Sequence, residues 1–458
     1  MNILFTTSAA PAKSPFFTNE KSPPLGLGFL ISLVRSAGHK IFFIDNYLEP
    51  SNFIETGYLQ KNNIDVVGIY ANTICFRDTL RMLSEIETLR KKGLWSGKVI
   101  VGGPHTSVAL DSIPEYVDHI VQGEGENAII DIINGKEKRR LVLKERIMDL
   151  DPLPFQPWDI FSRLPYDFSC FWMDVKPVFT MNTSRGCPFH CTFCSVDSIW
   201  GDRRTLFSAD RIISEVEYLI KTYGAKGIYF REDNFTLNIR RTEAFCEKMI
   251  QRNFKIPWAC ETRVDTLCDE EIVQLMHRAG CEAVYLGVES CSQRILNLLN
   301  KKITVEQVER ALHLCKKYQI RTYCSLLAGV PGETYEDSLL TQKWMKQMKP
   351  YRYVFNVFVG IPSSPLYRWI LENKQYEYID DLGLVYLPGY DVKVKFFYGI
   401  DSKQLVDYDF KQRTPFDVRL MKNLRTREAK KRAMHFAMSI LPGGIKKKLR
   451  RGAVLGGR

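Results

Sequence analysis

A chain of 458 residues, 45% hydrophobic and 25% charged, is long enough for two or three domains with proper cores and has ordinary globular composition. It contains no run of the roughly 18 apolar residues that a membrane helix needs, and Met1-Asn-Ile-Leu-Phe-Thr-Thr reads as a strand rather than a signal peptide. The net charge of +12 is segregated: residues 419–458 hold 13 of the 64 basic residues and one of the 52 acids, which disfavours a distributed nucleic-acid surface. Twelve cysteines without a disulfide framework point to a reducing, cytoplasmic setting.

Residues 1–135 alternate apolar runs with helical spacing. Residues 2–5, 40–45, 65–70, 98–101 and 119–122 read as buried strands, with helices over 27–37 and 77–91. This predicts a doubly wound, Rossmann-like α/β domain whose ligands sit beyond the carboxyl ends of the strands. The loops there are 23–28, 71–73, 102–105 and 123–126, where glycines let the backbone approach a large ligand closely. Residues 136–177 read as a linker, because Asp149-Leu-Asp-Pro-Leu-Pro-Phe-Gln-Pro-Trp158 cannot sustain a helix or central strand. Trp158, Phe161, Phe168, Phe171 and Trp172 are expected to pack it against the next domain.

The stretch Asn182-Thr-Ser-Arg-Gly-Cys-Pro-Phe-His-Cys-Thr-Phe-Cys-Ser195 places Cys187, Cys191 and Cys194 at C-x-x-x-C-x-x-C spacing. Thiolates are soft ligands for iron–sulfur clusters and zinc. A [4Fe–4S] cube normally takes four cysteines, so three in one loop leave one iron open to a substrate or cofactor. Zinc would more often show two C-x-x-C pairs, and there is no second pair. Cys246, Cys260, Cys268, Cys281, Cys291, Cys315 and Cys324 read as small buried apolar residues.

From 178 the strand–helix pattern repeats six times, with strands at 178–184, 227–233, 258–263, 283–289, 321–329 and 352–360. A helix over 208–223 puts Ile212, Ile213, Val216, Leu219 and Ile220 on one face, and another opens with the capping box Thr304-x-x-Gln307. Six such units over 178–375 predict a partial (β/α)6 TIM-like barrel with its chemistry at the strands' carboxyl ends. Residues 376–418 are aromatic and charged, fit to cap the barrel or pack beneath it. Residues 419–458 form a basic helical tail, read either as a solvated end or as a surface for an anionic membrane or acidic partner.

The cysteine spacing, with Phe193 just before the third cysteine, resembles the cluster loop of the radical S-adenosylmethionine (SAM) superfamily. Set after an α/β domain with the Pro23-Pro-Leu-Gly-Leu-Gly28 opening and the Val101-Gly-Gly-Pro-His105 turn, it looks like the cobalamin-dependent, methyltransferase-like branch. The resemblance covers roughly residues 1–370. It implies corrin contacts from Gly26, Asn72, Thr73, Gly102, Gly103, His105, Gly123 and Glu124. The axial Asp-x-His-x-x-Gly motif of other cobalamin proteins is missing, so the cobalt's lower ligand stays open; His105 is that ligand or, preferably, a turn histidine. A methylthiotransferase would need a second cysteine set in residues 1–169, which hold only Cys75.

The same resemblance assigns Phe193 and either Glu232 or Asp233 to SAM, the acid accepting from its amine. Arg263 would grip the carboxylate, Glu289 with Ser290 the ribose or methionine, and residues 327–332 the adenine side. It implies SAM bound to the unique iron and cleaved to a 5′-deoxyadenosyl radical, with an electron donor such as flavodoxin or ferredoxin. Cobalamin would then methylate an unactivated carbon of a small-molecule or lipid-like substrate. Alternatives are a corrin-dependent cyclisation, ring contraction or oxidation, an amino-terminal domain that binds substrate or a partner, and a non-catalytic iron–sulfur redox sensor.

Overall fold

Two six-stranded parallel sheets, joined by a proline-rich segment, make up the computed structural model. It describes residues 1–10, 21–201, 203–358, 360, 362–374, 378–379 and 385–386. The first sheet runs β1 (Asn2–Thr7), α1 (Leu25–Ser36), β2 (Lys40–Ile44), α2 (Tyr58–Lys61), β3 (Val66–Tyr70) and α3 (Phe76–Lys91). It continues with β4 (Lys98–Gly102), α4 (Pro104–Val108), β5 (His119–Gln122), α5 (Glu126–Ile133) and β6 (Leu141–Leu143). Its spatial order, β2-β1-β3-β4-β5-β6, is doubly wound, as expected. One correction concerns Leu141–Leu143, which falls in the predicted linker but pairs with β5 as an edge strand. Only Val142 of its three residues is buried, too short an apolar pattern to read as a strand.

The linker then folds back through α6 (Trp158–Phe161), whose Trp158 and Phe161 are fully buried. Trp158 meets Phe179 edge-on at 5.1 Å, and Phe168 meets it at 4.9 Å. Gly28 belongs to this packing: a Cβ there would lie 1.9 Å from Gln156 Oε1, so the glycine admits the linker to α1. Phe171 is 63% exposed, yet it meets Tyr323 edge-on at 6.3 Å and lies under the Arg352 guanidinium at 4.0 Å.

The second half runs β7 (Val178–Met181), the hairpin strand β8 (Ser184–Arg185), α7 (Val196–Trp200), its partner β9 (Thr205–Leu206), α8 (Ala209–Tyr223) and β10 (Gly227–Phe230). Then come α9 (Ile239–Gln251), β11 (Trp258–Arg263), α10 (Glu270–Arg278), β12 (Cys281–Glu289), α11 (Gln293–Leu298) and α12 (Val305–Lys317). The last elements are β13 (Arg321–Ala328), α13 (Tyr335–Met348), β14 (Arg352–Val357) and α14 (Pro365–Glu372). All six predicted strands form, in parallel order β7-β10-β11-β12-β13-β14. Among the described residues β7 and β14 do not pair, so the sheet is an open arc. Ser208 caps α8 by accepting from Arg211 N at 3.1 Å, and the Thr304–Gln307 box caps α12.

On the helical side of this sheet Trp258 packs against Phe230, Phe235 and Phe245 with centroids 5.4–5.8 Å apart. Cys246, Cys260, Cys281, Cys315 and Cys324 are buried in the same core, as small apolar residues. Of the aromatic segment and basic tail only a two-residue ladder, Tyr378–Ile379 with Val385–Tyr386, lies within the described residues.

Candidate active site

The cysteine loop leaves β8 through Gly186, whose φ of +86° is left-handed, and whose Cβ would stand 2.6 Å from the Arg203 carbonyl. The loop is stapled at several points. Thr192 N donates to Leu299 O at 3.0 Å, Asn300 Nδ2 to His190 O at 2.7 Å, and Leu366 N to Thr192 O at 2.7 Å. Thus α11 and α14 hold it from outside.

The backbone at Phe189 and Val196 lowers the thiols of Cys187 and Cys194 somewhat, against a larger rise from burial. Burial pushes the Cys194 thiol up to about 12, and its neighbours Cys191, Asp233 and Cys187 add to the shift. The three thiols therefore feel one another. Among the described residues, no three His, Cys, Asp or Glu side chains converge as ligands of a single ion do. Three thiols in one loop, close enough to perturb one another, suit a cluster that gives each its own iron.

The two acids after β10 take opposite directions. Glu232 is buried, accepting from Thr183 and pairing with Arg241 at 3.3 Å, which ties β7 to α9. Asp233 accepts from Gly186 N at 3.1 Å, on the cysteines' side, and enclosure by the surrounding protein pushes its carboxyl up to about 6.

Arg263 stacks on Phe189 at 3.6 Å, pairs with Asp265 at 3.0 Å and donates Nη2 to Lys301 O at 2.8 Å. Its Nη1 has no partner among the described residues. Glu289 has a φ of +68° and pairs at 2.9 Å with Lys301, a residue that no sequence motif marks. Lys301 lies between two left-handed residues, Asn300 and Lys302, and its ammonium stands 5.8 Å from the Phe193 ring. Ser290 is engaged with Thr341 Oγ1 at 3.1 Å and accepts from Ser292 N.

After β13, the turn through Gly329 and Gly332 is held by Glu333, which accepts from both Gly329 N and Val330 N. Burial raises its carboxyl to about 7. A folded value above the unfolded one means the folded state holds the proton more tightly, so this stability is full below about pH 4.5 and lost as pH rises to about 7. Glu333→Gln keeps both acceptor bonds and is expected to flatten that fall, by on the order of 3 kcal/mol at pH 8. Melting curves at pH 5 and 8 test this; an identical pH slope in the two proteins refutes it.

The carboxyl ends of the first sheet face this mouth. Helix α4 packs on α7, and Ser363 joins them, donating to Val108 O at 3.3 Å and accepting from Ser198 Oγ at 3.1 Å. A Cβ added at Gly26 would meet nothing within 4 Å, and one at Gly102 only Val121 at 3.6 Å or beyond, so both leave backbone open. Gly103 differs: at φ +109° its Cβ would meet Ala71 O at 2.6 Å, so chain packing itself demands the glycine. Asn72 Oδ1 accepts from Cys75 N, and Gly123, at φ +75°, donates to Ser107 Oγ.

His105 and Glu124, both expected near the corrin, are engaged within the protein. His105 is buried, stacked on Phe76 at 3.7 Å, with Nδ1 on Thr73 Oγ1 and Nε2 on Ser112 Oγ, so both nitrogens are engaged and neither reaches a metal. Burial lowers it to about 4, a neutral turn histidine. Glu124 is likewise buried, bonded to Arg185 at 2.9 Å and Ile147 N at 2.6 Å.

A family profile described as the B12 binding domain matches residues 18–133, and one described as the Radical SAM superfamily matches 181–345. An uncharacterized methyltransferase of Pyrococcus horikoshii is 31% identical over 374 residues, 77% of this chain and 79% of that protein. The chain belongs to the cobalamin-dependent radical SAM enzymes. Other relatives include the anaerobic magnesium-protoporphyrin IX monomethyl ester cyclase of Rubrivivax gelatinosus, 26% identical over 76% of this chain and 66% of that one. The hopanoid C-3 methylase of Methylococcus capsulatus is 23% identical over 77% and 69%. The cobalamin-dependent SAM radical enzyme OxsB shares the fold, with a TM-score of 0.74 at 16% identity over 96% of this chain and 70% of that one. For this radical SAM enzyme, the B12-type domain is the first sheet and the cysteine loop belongs to the second.

Proposed function

We propose that this enzyme cleaves SAM reductively at a [4Fe–4S] cluster and uses cobalamin to methylate an unactivated carbon of a small-molecule or lipid-like substrate. The observation that carries the reading is one loop with three cysteines whose following helix, α7, packs on α4 of the B12-type domain. The P. horikoshii relative and the hopanoid methylase support methyl transfer and the substrate class.

Cys187, Cys191 and Cys194 would hold the cluster, and Phe193 would cover it from the apolar side. When bound, the cluster supplies the electron that splits the sulfonium bond, and the corrin carries the methyl group. Asp233 would accept from the SAM amine, while Glu232 braces the strands behind it. Arg263 offers Nη1 to the carboxylate. Glu289, half neutralised by Lys301, keeps an oxygen for hydroxyl donors, and Ser290 braces the turn. Gly26, Asn72, Thr73, Gly102 and Gly123 would line the corrin from the first sheet. An electron donor such as flavodoxin or ferredoxin and a cytoplasmic setting complete the proposal.

The test is anaerobic reconstitution with iron, sulfide and hydroxocobalamin, followed by SAM and dithionite. Both 5′-deoxyadenosine and S-adenosylhomocysteine are expected. Failure to retain corrin, or failure to form 5′-deoxyadenosine, rejects the reading. The R. gelatinosus relative favours a second one: 5′-deoxyadenosine without S-adenosylhomocysteine would assign cyclisation or oxidation.

We also propose that residues 419–458 bring the enzyme to an anionic membrane, where Met434, Phe436 and Ile440 insert. Full-length protein is expected to float with phosphatidylglycerol vesicles, and the variant with Lys446, Lys447, Lys448, Arg450 and Arg451 changed to Gln is not. Equal flotation refutes it.

A further inference from the structure

Where the two sheets meet, three charged side chains are buried together, with a fourth, Arg146, partly exposed beside them. Arg185 of β8 donates Nη1 to Glu124 at 2.9 Å and Nη2 to Glu126 at 2.5 Å. Their side chains are 7%, 2% and 5% exposed. Arg146 approaches the same Glu124 at 3.5 Å, and its other nitrogens reach the Trp200 carbonyl and Thr205 Oγ1. The Arg185 guanidinium also lies 5.5 Å from the Phe29 ring of α1 and 5.8 Å from Trp200 of α7. Two arginines and two carboxylates leave the group neutral.

We propose that Arg185 is a positioning residue, a clamp that fixes the B12-type domain in one register against the cysteine loop. Three observations carry this. The arginine lies two residues before Cys187, and its partners lie in the loop after β5 and at the start of α5, so the clamp joins the two candidate cofactor sites directly. Its planar fork addresses two carboxylates two residues apart, which fixes orientation as well as separation. A buried ionic group is weaker in net stability than apolar residues of similar volume, because of desolvation, whereas its demand for one geometry is strict. Such a device suits an interface whose register matters more than its strength. Gly186, immediately after, is left-handed and wedged against Arg203, so a shift of Arg185 passes to Cys187.

This inference rests on the cofactor reading above, and the test separates the two. Arg185→Lys keeps the charge but replaces the fork by a point donor unable to serve both carboxylates equally. In the full-length protein without cofactors, hydrogen exchange is expected to quicken about ten-fold in residues 123–126 and 184–187 together. The variant R185M/E126Q keeps Glu124 beside Arg146, so the group stays neutral, and it serves if R185K does not fold; the same paired change is expected. Exchange that is unchanged, or altered on one side only, overturns the clamp. In protein loaded with iron, sulfide and hydroxocobalamin, the ratio of S-adenosylhomocysteine to 5′-deoxyadenosine is expected to fall about ten-fold as the domains lose register. An unchanged ratio also overturns it. If the unaltered protein retains no corrin, the functional reading fails, and hydrogen exchange alone decides the clamp.

Discussion

Alanine at Cys187, Cys191 or Cys194 is expected to abolish iron–sulfide absorbance at about 400 nm and to lower 5′-deoxyadenosine formation at least about a thousand-fold. The size follows from the division of labour. The loop offers three thiols, and two cannot hold a cube while leaving an iron open. The fold itself should barely respond. Cys187 and Cys194 are only half-buried, and the loop's backbone bonds, such as Cys194 N to Cys191 O at 3.1 Å, survive loss of a thiol. Cys324→Ala is the matched control. Its thiol is fully buried on the helical side of β13, so the loss should appear as about 1 kcal/mol of stability, with the cluster retained. Absorbance and product release measured on the same preparations test both halves. An alanine variant at one of the three positions that still yields 5′-deoxyadenosine at the parent rate would disprove the assignment.

Gly186→Ala is expected to have the next largest effect. Alanine at φ +86° costs about 1–2 kcal/mol by itself. Its Cβ would also stand 2.6 Å from the Arg203 carbonyl and 3.3 Å from Trp200 Cβ. A carbonyl in the chain leading to β9 cannot swing away as a side-chain tip can, so the β8–β9 hairpin must open and carry Cys187 with it. A loss of about 2 kcal/mol or more is expected, together with poor cluster retention. Gly26→Ala provides the contrast. Nothing lies within 4 Å of that Cβ and the residue is helical, so stability should be unchanged or rise by up to about 1 kcal/mol. Corrin retention should fall if the first sheet holds the corrin there. Thermal melts and bound-cofactor absorbance of the two variants check the pair; a G186A protein with parental melting and full cluster content refutes the first.

Much of the fold could be read from local pattern. The six strands of the second sheet appeared as apolar runs because parallel strands are covered on both faces, and the helices between them kept their 3.6-residue stripe. The capping box at Thr304 formed as its residue types require. Leu141–Leu143 was invisible for the opposite reason: an edge strand with one buried residue leaves no period to detect. The site divides in the same way. The three cysteines stand in one short loop, so spacing alone gathers them. Glu232 and Asp233 are adjacent, and only the turn after β10 decides that one braces Arg241 while the other meets Gly186.

Lys301 and Arg185 went unread because long cationic side chains ordinarily point to water, and nothing local marks those that do not. Lys301 turns inward because left-handed Asn300 and Lys302 flank it, and Arg185 because a sheet beginning at residue 2 brings Glu124 and Glu126 to it. His105 was open between a metal ligand and a turn histidine by residue type, and its two nitrogens are taken by Thr73 and Ser112, as the preferred reading has it. Order of elements, burial and the thiol triad are properties of neighbours along the chain, and the chain alone determines them. The partner of each buried charge depends on contacts between distant segments, where desolvation leaves an ion no alternative to pairing, and only the folded molecule decides that.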